Sequence, residues 1–254
     1  MVIFAGGLGT RLSEETNNIP KPMVEIGGKP ILWHIMKIYS HYGFNEFIIC
    51  LGYKQHIIKQ FFYNYFMNNS DYTLDVKNKK TEIHEDRSEP WKITFVDTGM
   101  KTQTAGRLKK IQKYIGNQPF MLTYGDGVAD INIKELVEFH KKHKKLATLT
   151  SIVPEGRFGI LKLENNVVTE FAEKKDNEKS RINGGFFVLE PKIFDYIKGD
   201  VMWEGYPLEK LAQEGQLMSY FHEGFWMAMD KLSDKNKLEQ LWNSNKPPWK
   251  IWND

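Results

Sequence analysis

The chain has 254 residues, 41% of them hydrophobic and 26% charged, with a formal net charge of +3 and an isoelectric point near 8.6. This is a globular composition, long enough for one large α/β domain and too mildly basic to demand nucleic acid as a partner. No apolar run approaches the roughly 20 residues of a membrane span, and a single cysteine, Cys50, excludes a disulfide within the chain.

Met1 leads directly into the first apolar run, which leaves no room for a signal peptide, so a cytoplasmic location is expected. Val2–Ala5 reads as a buried strand that breaks into Gly6-Gly7-Leu8-Gly9-Thr10-Arg11-Leu12. Glycines suit a chain that must take positive φ or approach a ligand closely, and successive N–H groups in such a loop form an anion-binding concavity. Arg11 adds a planar cation matched to phosphate oxygens. A polyphosphate is the expected guest. The loop is neither a Walker A motif, which needs a closing Gly-Lys-Ser/Thr, nor the dinucleotide fingerprint, because Pro20 and Pro22 interrupt soon afterwards.

Apolar spacing after Pro30 predicts a helix over Ile31 to Tyr42, ended by Gly43. Glu46 to Leu51 follows as a strand holding Cys50, read as core filler, and Ile57 to Phe66 as a second helix. Strand, helix, strand, helix implies parallel strands with crossovers. From Asn68 to Pro90 charged and Asn residues dominate around Tyr72–Val76 and Thr81–His84, which reads as an inserted ribbon. The alternation resumes with Ile93–Val96, a helix over Arg107–Ile115, a strand over Pro119–Tyr124, a helix over Lys134–His143 and a strand over Leu146–Val153. The basic run His140–Lys145 reads as a solvated helix end. After Pro154 the pattern is strand-rich, through Ile160–Leu163, Val167–Phe171 and Gly185–Leu189. Leu232–Trp242 is a helix, and Pro247–Trp252 carries enough aromatic surface to require packing on the body or a neighbour. We divide a single domain over 1–254 into a first half, 1–150, expected to hold the polyphosphate, and a second half, 151–254, ending in the C-terminal helix and expected to hold the other substrate.

Asp126 follows the strand that ends at Tyr124, where open parallel sheets bind ligands, and a carboxylate there suits Mg²⁺. The alternative is a turn or N-cap aspartate, the role expected of Asp130. Phe225–Asp230 reads as another apolar strand ending in a carboxylate, so Asp126 and Asp230 could share one metal ion. Glu173-Lys174 and Asn183-Gly184-Gly185 lie between them; the first could bind a sugar hydroxyl and a sugar phosphate respectively or form an ordinary surface ion pair, and the glycines of the second permit close backbone approach.

The string Phe4–Leu12 followed by Pro20-Lys21-Pro22-Met23 resembles the opening of the sugar-1-phosphate nucleotidyltransferases. With Lys21–His34, Glu89-Pro90-Trp91, Val96–Gly99, Tyr124–Asp130, Gly156–Gly159 and Ile182–Val188, the likeness runs nearly end to end and resembles the glucose-1-phosphate cytidylyltransferase family. The resemblance implies a Rossmann-like, mixed and mostly parallel sheet flanked by helices (a GT-A-like fold) with a strand-rich sugar half. It implies Mg²⁺, a homo-oligomer (a hexamer in that family), and CDP-glucose made from CTP and α-D-glucose 1-phosphate for dideoxyhexose and lipopolysaccharide synthesis. By motif match, Ala5, Gly6, Gly7, Gly9, Thr10, Arg11, Lys21, Thr104, Gly106, Arg107 and Gly125 would bind the nucleotide. Gly159, Glu173, Lys174, Asn183 and Gly184 would line the sugar-phosphate side. Asp126 and Asp230 would carry the metal, and Arg11, Lys21 and Asp126 would act in catalysis. Ala105, Lys175 and the stretch Met100–Thr104 depart from the family pattern.

The implied chemistry is in-line transfer between two polyanions, which needs alignment and charge neutralisation but no side-chain nucleophile. Arg107, a donor-only group, could pair with cytosine O2 and N3 and select CTP over UTP. The competing readings are the same reaction with UTP, dTTP or another sugar 1-phosphate, and a non-catalytic nucleotide-sugar-binding module.

Overall fold

Val2–Ala5 (β1) is buried along its whole length, as consecutive apolar residues require when both faces of a sheet are covered. The computed structural model describes residues 1–154, 160–164, 167–172 and 181–253. After β1 come Ser13–Thr16 (α1), the short strands Glu25–Ile26 (β2) and Lys29–Pro30 (β3), Ile31–His41 (α2), Glu46–Leu51 (β4) and Gln55–Asn68 (α3). Ser70–Asp75 (β5) and Lys80–Asp86 (β6) form the inserted antiparallel ribbon that was expected, and it is largely exposed. Lys92–Asp97 (β7), Thr104–Ile111 (α4), Phe120–Tyr124 (β8), Gly127–Ala129 (β9), Ile133–His143 (α5) and Ala147–Ile152 (β10) complete the first half. The second half holds Ile160–Glu164 (β11), Val167–Ala172 (β12), Ile182–Leu189 (β13), Tyr206–Gln213 (α6), Leu217–Phe221 (β14), Trp226–Ala228 (β15) and Leu232–Asn243 (α7).

Seven strands form one sheet in the order β14-β10-β13-β8-β1-β4-β7. Neighbours run parallel except at β13, which opposes both β8 and β10. This is the mixed, mostly parallel α/β sheet implied by the sequence. On one face α2, α3, α5 and α7 bury Ile35, Tyr39, Ile58, Leu136 and Leu238; on the other α4 and α6 bury Leu108, Ile111 and Leu211. Cys50 is fully buried in the second of these cores, and burial pushes its thiol up to about 12, so it is filler and not a nucleophile.

The C-terminal aromatics pack on the body. Trp249 and Trp252 are buried around His34, whose Nε2 lies 2.8 Å from the Ile26 carbonyl while Trp249 Nε1 donates to Nδ1 at 3.4 Å. Burial holds the His34 imidazole down at about 4, so the ring is neutral.

Several local expectations change. The helix expected from Arg107 begins at Thr104, and a short 3-10 turn at Gln112–Tyr114 ends it. Asp130 does not cap α5: Asn132 does, accepting from Glu135 N–H at 3.1 Å, and Asp130 Oδ1 lies 3.0 Å from His222 Nε2. His140 is not part of a solvated helix end but is buried, with Nδ1 2.8 Å from Thr148 Oγ1, because Thr148 on β10 offers a polar partner beneath the helix. The strand read over Phe225–Asp230 forms over Trp226–Ala228, two residues short of Asp230, and pairs with β9 outside the central sheet.

Candidate active site

The carboxyl ends of the parallel neighbours β1 and β8 open on a cavity of about 360 Å³, the position where parallel sheets take ligands. Ala5, Gly6, Gly7, Gly9, Thr10, Arg11, Lys21, Thr104, Arg107, Gly125 and Asp126 all line it. Gly106 does not: it faces away toward Asp200, where a Cβ would lie 2.0 Å from the carboxylate oxygen. Phe4, Pro22, Thr102, Gln103 and Tyr124 complete the wall, and Thr102 and Gln103 were not singled out from the sequence. Both fall in the divergent stretch before α4 and carried no motif.

Gly9 takes φ +65°, and its carbonyl accepts from Leu12 N–H and Thr16 Oγ1, both at 3.0 Å. That turn leaves Gly7, Thr10 and Arg11 exposed along the rim. Beneath them Arg107 is 4% exposed. Its Nη1 donates to Leu51 O (3.1 Å), Thr98 Oγ1 (2.6 Å) and Gly99 O (2.9 Å), and its Nη2 to Gly6 O (3.0 Å) and Met100 O (3.4 Å). Burial lowers its pKa from the ordinary value, opposed by Cys50, Asp200 and Asp97, yet an arginine remains charged. The terminal nitrogens of a guanidinium carry four hydrogens, and here they serve five protein oxygens. The expected pairing with cytosine O2 and N3 therefore finds no free terminal donor. Arg107 ties the ends of β1, β4 and β7 together instead, and a Cβ on Gly6 would stand 2.1 Å from its Nη1.

Asp126 and Asp230 meet because β9 and β15 pair antiparallel. Gly127 lies opposite Ala228, and Met229 N–H donates to Asp126 O at 2.8 Å. Their carboxylates converge on the Lys21 ammonium, at 2.5 Å from Asp126 Oδ2 and 2.7 Å from Asp230 Oδ1. Burial disfavours the charge on Lys21, but the two aspartates more than offset it and raise its pKa, so the ammonium is retained. Arg11 Nη1 reaches Asp230 Oδ2 at 3.2 Å. Carboxylates that close on one cation from two strands also suit one hard divalent ion, with phosphate oxygens and water filling its other positions. Among the described residues no group of three or more His, Cys, Asp or Glu is gathered for a metal. A site of two carboxylates fits Mg²⁺ arriving with a phosphate better than a resident structural metal.

Past the acidic pair a second cavity, about 250 Å³, is lined by Asn183, Gly184, Gly185, Trp226, Asp126 and Asp230 among others. It shares Arg11, Tyr124 and Asp126 with the first. Asn183 and Gly184 thus stand together on the far side of the aspartates, whereas Gly159, Glu173 and Lys174 lie outside the described residues, as does Lys175. Trp226, whose Nε1 donates to Gly184 O at 2.7 Å, was missed as a site residue. Its signal was present in the apolar run leading to Asp230.

The nucleotidyl transferase family matches residues 1–241. The chain belongs to that family. Nucleotidyl transferases similar to it include the glucose-1-phosphate cytidylyltransferase of Salmonella typhi, 54% identical over 99% of this chain and 98% of that protein. The probable glucose-1-phosphate cytidylyltransferase of Bacillus subtilis strain 168 is 47% identical over 99% of both. A crystal structure of an apo UDP-glucose pyrophosphorylase superposes with a TM-score of 0.68 over 96% of this chain and 98% of that one; at 15% identity it shows a shared fold.

Proposed function

We propose that this protein transfers a cytidylyl group from CTP to α-D-glucose 1-phosphate, giving CDP-glucose and pyrophosphate. The observation that carries the reading is the convergence of Asp126, Asp230, Lys21 and Arg11 between two adjoining cavities. Full-length identity to two glucose-1-phosphate cytidylyltransferases supports the choice of substrates.

In this reading the loop Gly6–Arg11 cradles the triphosphate, and Asn183 and Gly184, with Glu173, Lys174 and Gly159, take the sugar phosphate. A sugar-phosphate oxygen forms a bond to the α-phosphorus of CTP as the bond from that phosphorus to the bridging oxygen breaks. Pyrophosphate leaves with the electron pair. The attacking oxygen is already anionic, so no base is needed. Lys21 and Arg11 hold the reacting phosphates in line and neutralise the charge that moves to the leaving group. Asp126 and Asp230 would hold Mg²⁺, which when bound supplies further neutralisation of the phosphate oxygens.

The described residues include no helix long and apolar enough to cross a membrane, and we place the enzyme in the cytoplasm, where both substrates are expected. The exposed β5–β6 ribbon, with Leu74 and Val76 more than half exposed, supports assembly into a homo-oligomer larger than a dimer. Light scattering giving a monomer mass of 29.7 kDa would remove that part of the reading.

Pyrophosphate release from CTP, UTP, dTTP and GTP, each crossed with several sugar 1-phosphates, tests the whole. Turnover is expected to be fastest with CTP and glucose 1-phosphate. Faster turnover with another pair transfers the reading to that pair, and no release with any pair sinks it.

A further inference from the structure

Asp230 is not held by a strand. β15 stops at Ala228, and the pairing with β9 reaches only as far as Met229 N–H, which donates to Asp126 O at 2.8 Å. The next two N–H groups leave the ladder and share one carboxylate oxygen. Asp234 Oδ2 accepts from Asp230 N–H at 3.0 Å and from Lys231 N–H at 2.9 Å. Asp234 is the third residue of α7 and is buried. The helix cap needs only the bond from Lys231, the residue before the helix, to a side chain in its first turn. The bond from Asp230 N–H lies outside the helix and adds nothing to that cap.

Its effect falls on the site. Three successive N–H groups, at Met229, Asp230 and Lys231, are each assigned to an acceptor, which fixes the backbone that carries the Asp230 carboxylate. Only the two side-chain torsions are then left, and Lys21 Nζ at 2.7 Å and Arg11 Nη1 at 3.2 Å hold those. The helix that supplies Asp234 is itself anchored. Leu238 is fully buried, and Lys235 Nζ pairs with Glu15 Oε1 on α1, just after the glycine-rich loop. Glu239 Oε2 accepts from Gly27 N–H at 3.0 Å, in the turn between β2 and β3 that follows Lys21 in the chain. α7 thus touches the segments that carry Arg11, Lys21 and Asp230.

We propose that Asp234 is a positioning residue that fixes the backbone of Asp230 and so aims its carboxylate at Lys21 and at a divalent ion shared with Asp126. The proposal rests on the reading of Asp126 and Asp230 as the metal-holding pair. It goes beyond that reading by assigning a buried carboxylate that touches neither substrate nor metal in it.

Calorimetric titration of CTP, with and without Mg²⁺, into the full-length wild type, Asp234→Ala, Asp234→Asn and Leu238→Ala tests it. The gain in CTP affinity on adding Mg²⁺ is expected to fall about tenfold or more in Asp234→Ala. Asp234→Asn keeps an oxygen for both N–H groups and should retain the gain. Leu238→Ala, which loosens the packing of α7 but leaves the Asp234 bonds, should lower the melting temperature and leave the gain intact. Crystal structures give a second reading that needs no ligand: in Asp234→Ala the Asp230 carboxylate is expected to leave Lys21 Nζ while Asp126 stays. Should Asp234→Ala fail to fold, Asp234→Glu keeps the helix cap, moves the carboxylate by a methylene and is read in the same two ways. An undiminished gain in Asp234→Ala, a gain absent from Asp234→Asn, an equal loss in Leu238→Ala, or an Asp230 that stays on Lys21 overturns the proposal. A displaced Asp230 in a protein whose wild type binds no CTP, or binds it no better with Mg²⁺, upholds the positioning and overturns the reading of the site instead.

Discussion

The rim of the nucleotide cavity and the floor beneath it are held in different ways. On the rim, Arg11 keeps 73% of its side chain in solvent and pairs with Asp230 at 3.2 Å. In the floor, the Lys21 side chain is 11% exposed between two carboxylates, and Arg107 is bonded to five oxygens from three strand ends. Both regions present cations to a phosphate ligand. The difference teaches that a floor cation is first a structural part, whose removal strands buried carbonyls, while a rim cation acts only when a ligand arrives.

The sharpest break of this comparison lies at the acidic pair that joins the two regions. Asp126→Asn or Asp230→Asn should lower the rate of pyrophosphate release about 10²–10³-fold, since each removes an anionic group aimed at the reacting charge. Circular dichroism should show the fold retained, because Lys21 keeps its other partner. Near-normal release in either variant rejects the assignment.

Arg107→Ala comes next. It should cost about 3 kcal/mol of stability in a denaturant titration, as the carbonyls of Gly6, Leu51 and Gly99 lose a buried charged donor. The CTP/UTP ratio of kcat/KM in whatever folds should be unchanged. A narrowed ratio with stability intact would return Arg107 to reading the base.

A pH series probes the far side of the same sheet. His34 is neutral and held at about 4, whereas in the unfolded chain it titrates near 6.5, the ordinary value of a free imidazole. The unfolded state therefore binds the extra proton first. This contribution is fully present above about pH 6.5 and is lost as pH falls toward 4, about 3 kcal/mol in all. Melting temperature followed from pH 7 to 4.5 should fall in the wild type and fall less steeply in His34→Gln. Parallel curves for the two proteins would show that His34 does not govern this region.

The smallest effect is expected on the rim. Arg11→Ala should lose about tenfold in kcat/KM, near 1.4 kcal/mol, with no change in thermal stability because its ion pair to Asp230 is exposed. A clear drop in melting temperature would erase the distinction between rim and floor.

Much of this was legible in order along the chain. The loop Gly6–Arg11 announced itself because a buried strand must end somewhere, and glycine spacing at that end is a local property. Pro30 and Gly43 marked the limits of α2 within a residue or two, and the inserted ribbon was visible from its polar alternation. Arg107 was legible as a site residue but not in its role, since nothing local reveals that five acceptors from distant strands will surround it. His140 was misread as solvated for the same reason: its partner, Thr148, becomes a neighbour only when β10 folds under α5.

The sequence by itself determined the class of fold, the glycine-rich loop after β1 and the kinship, because hydrophobic period, glycine spacing and motif strings are local and survive being read one residue at a time. Tertiary structure alone decided how the charges meet. Asp126 and Asp230 are 104 positions apart in sequence, and only the antiparallel pairing of β9 with β15 brings their carboxylates onto the Lys21 ammonium. Likewise only the loop before α6, folded over the start of α4, brings Glu204 between Thr104 and Tyr124. Hydrogen bonds and ion pairs act over a few ångströms, so their partners are chosen by the fold and not by the order of the chain.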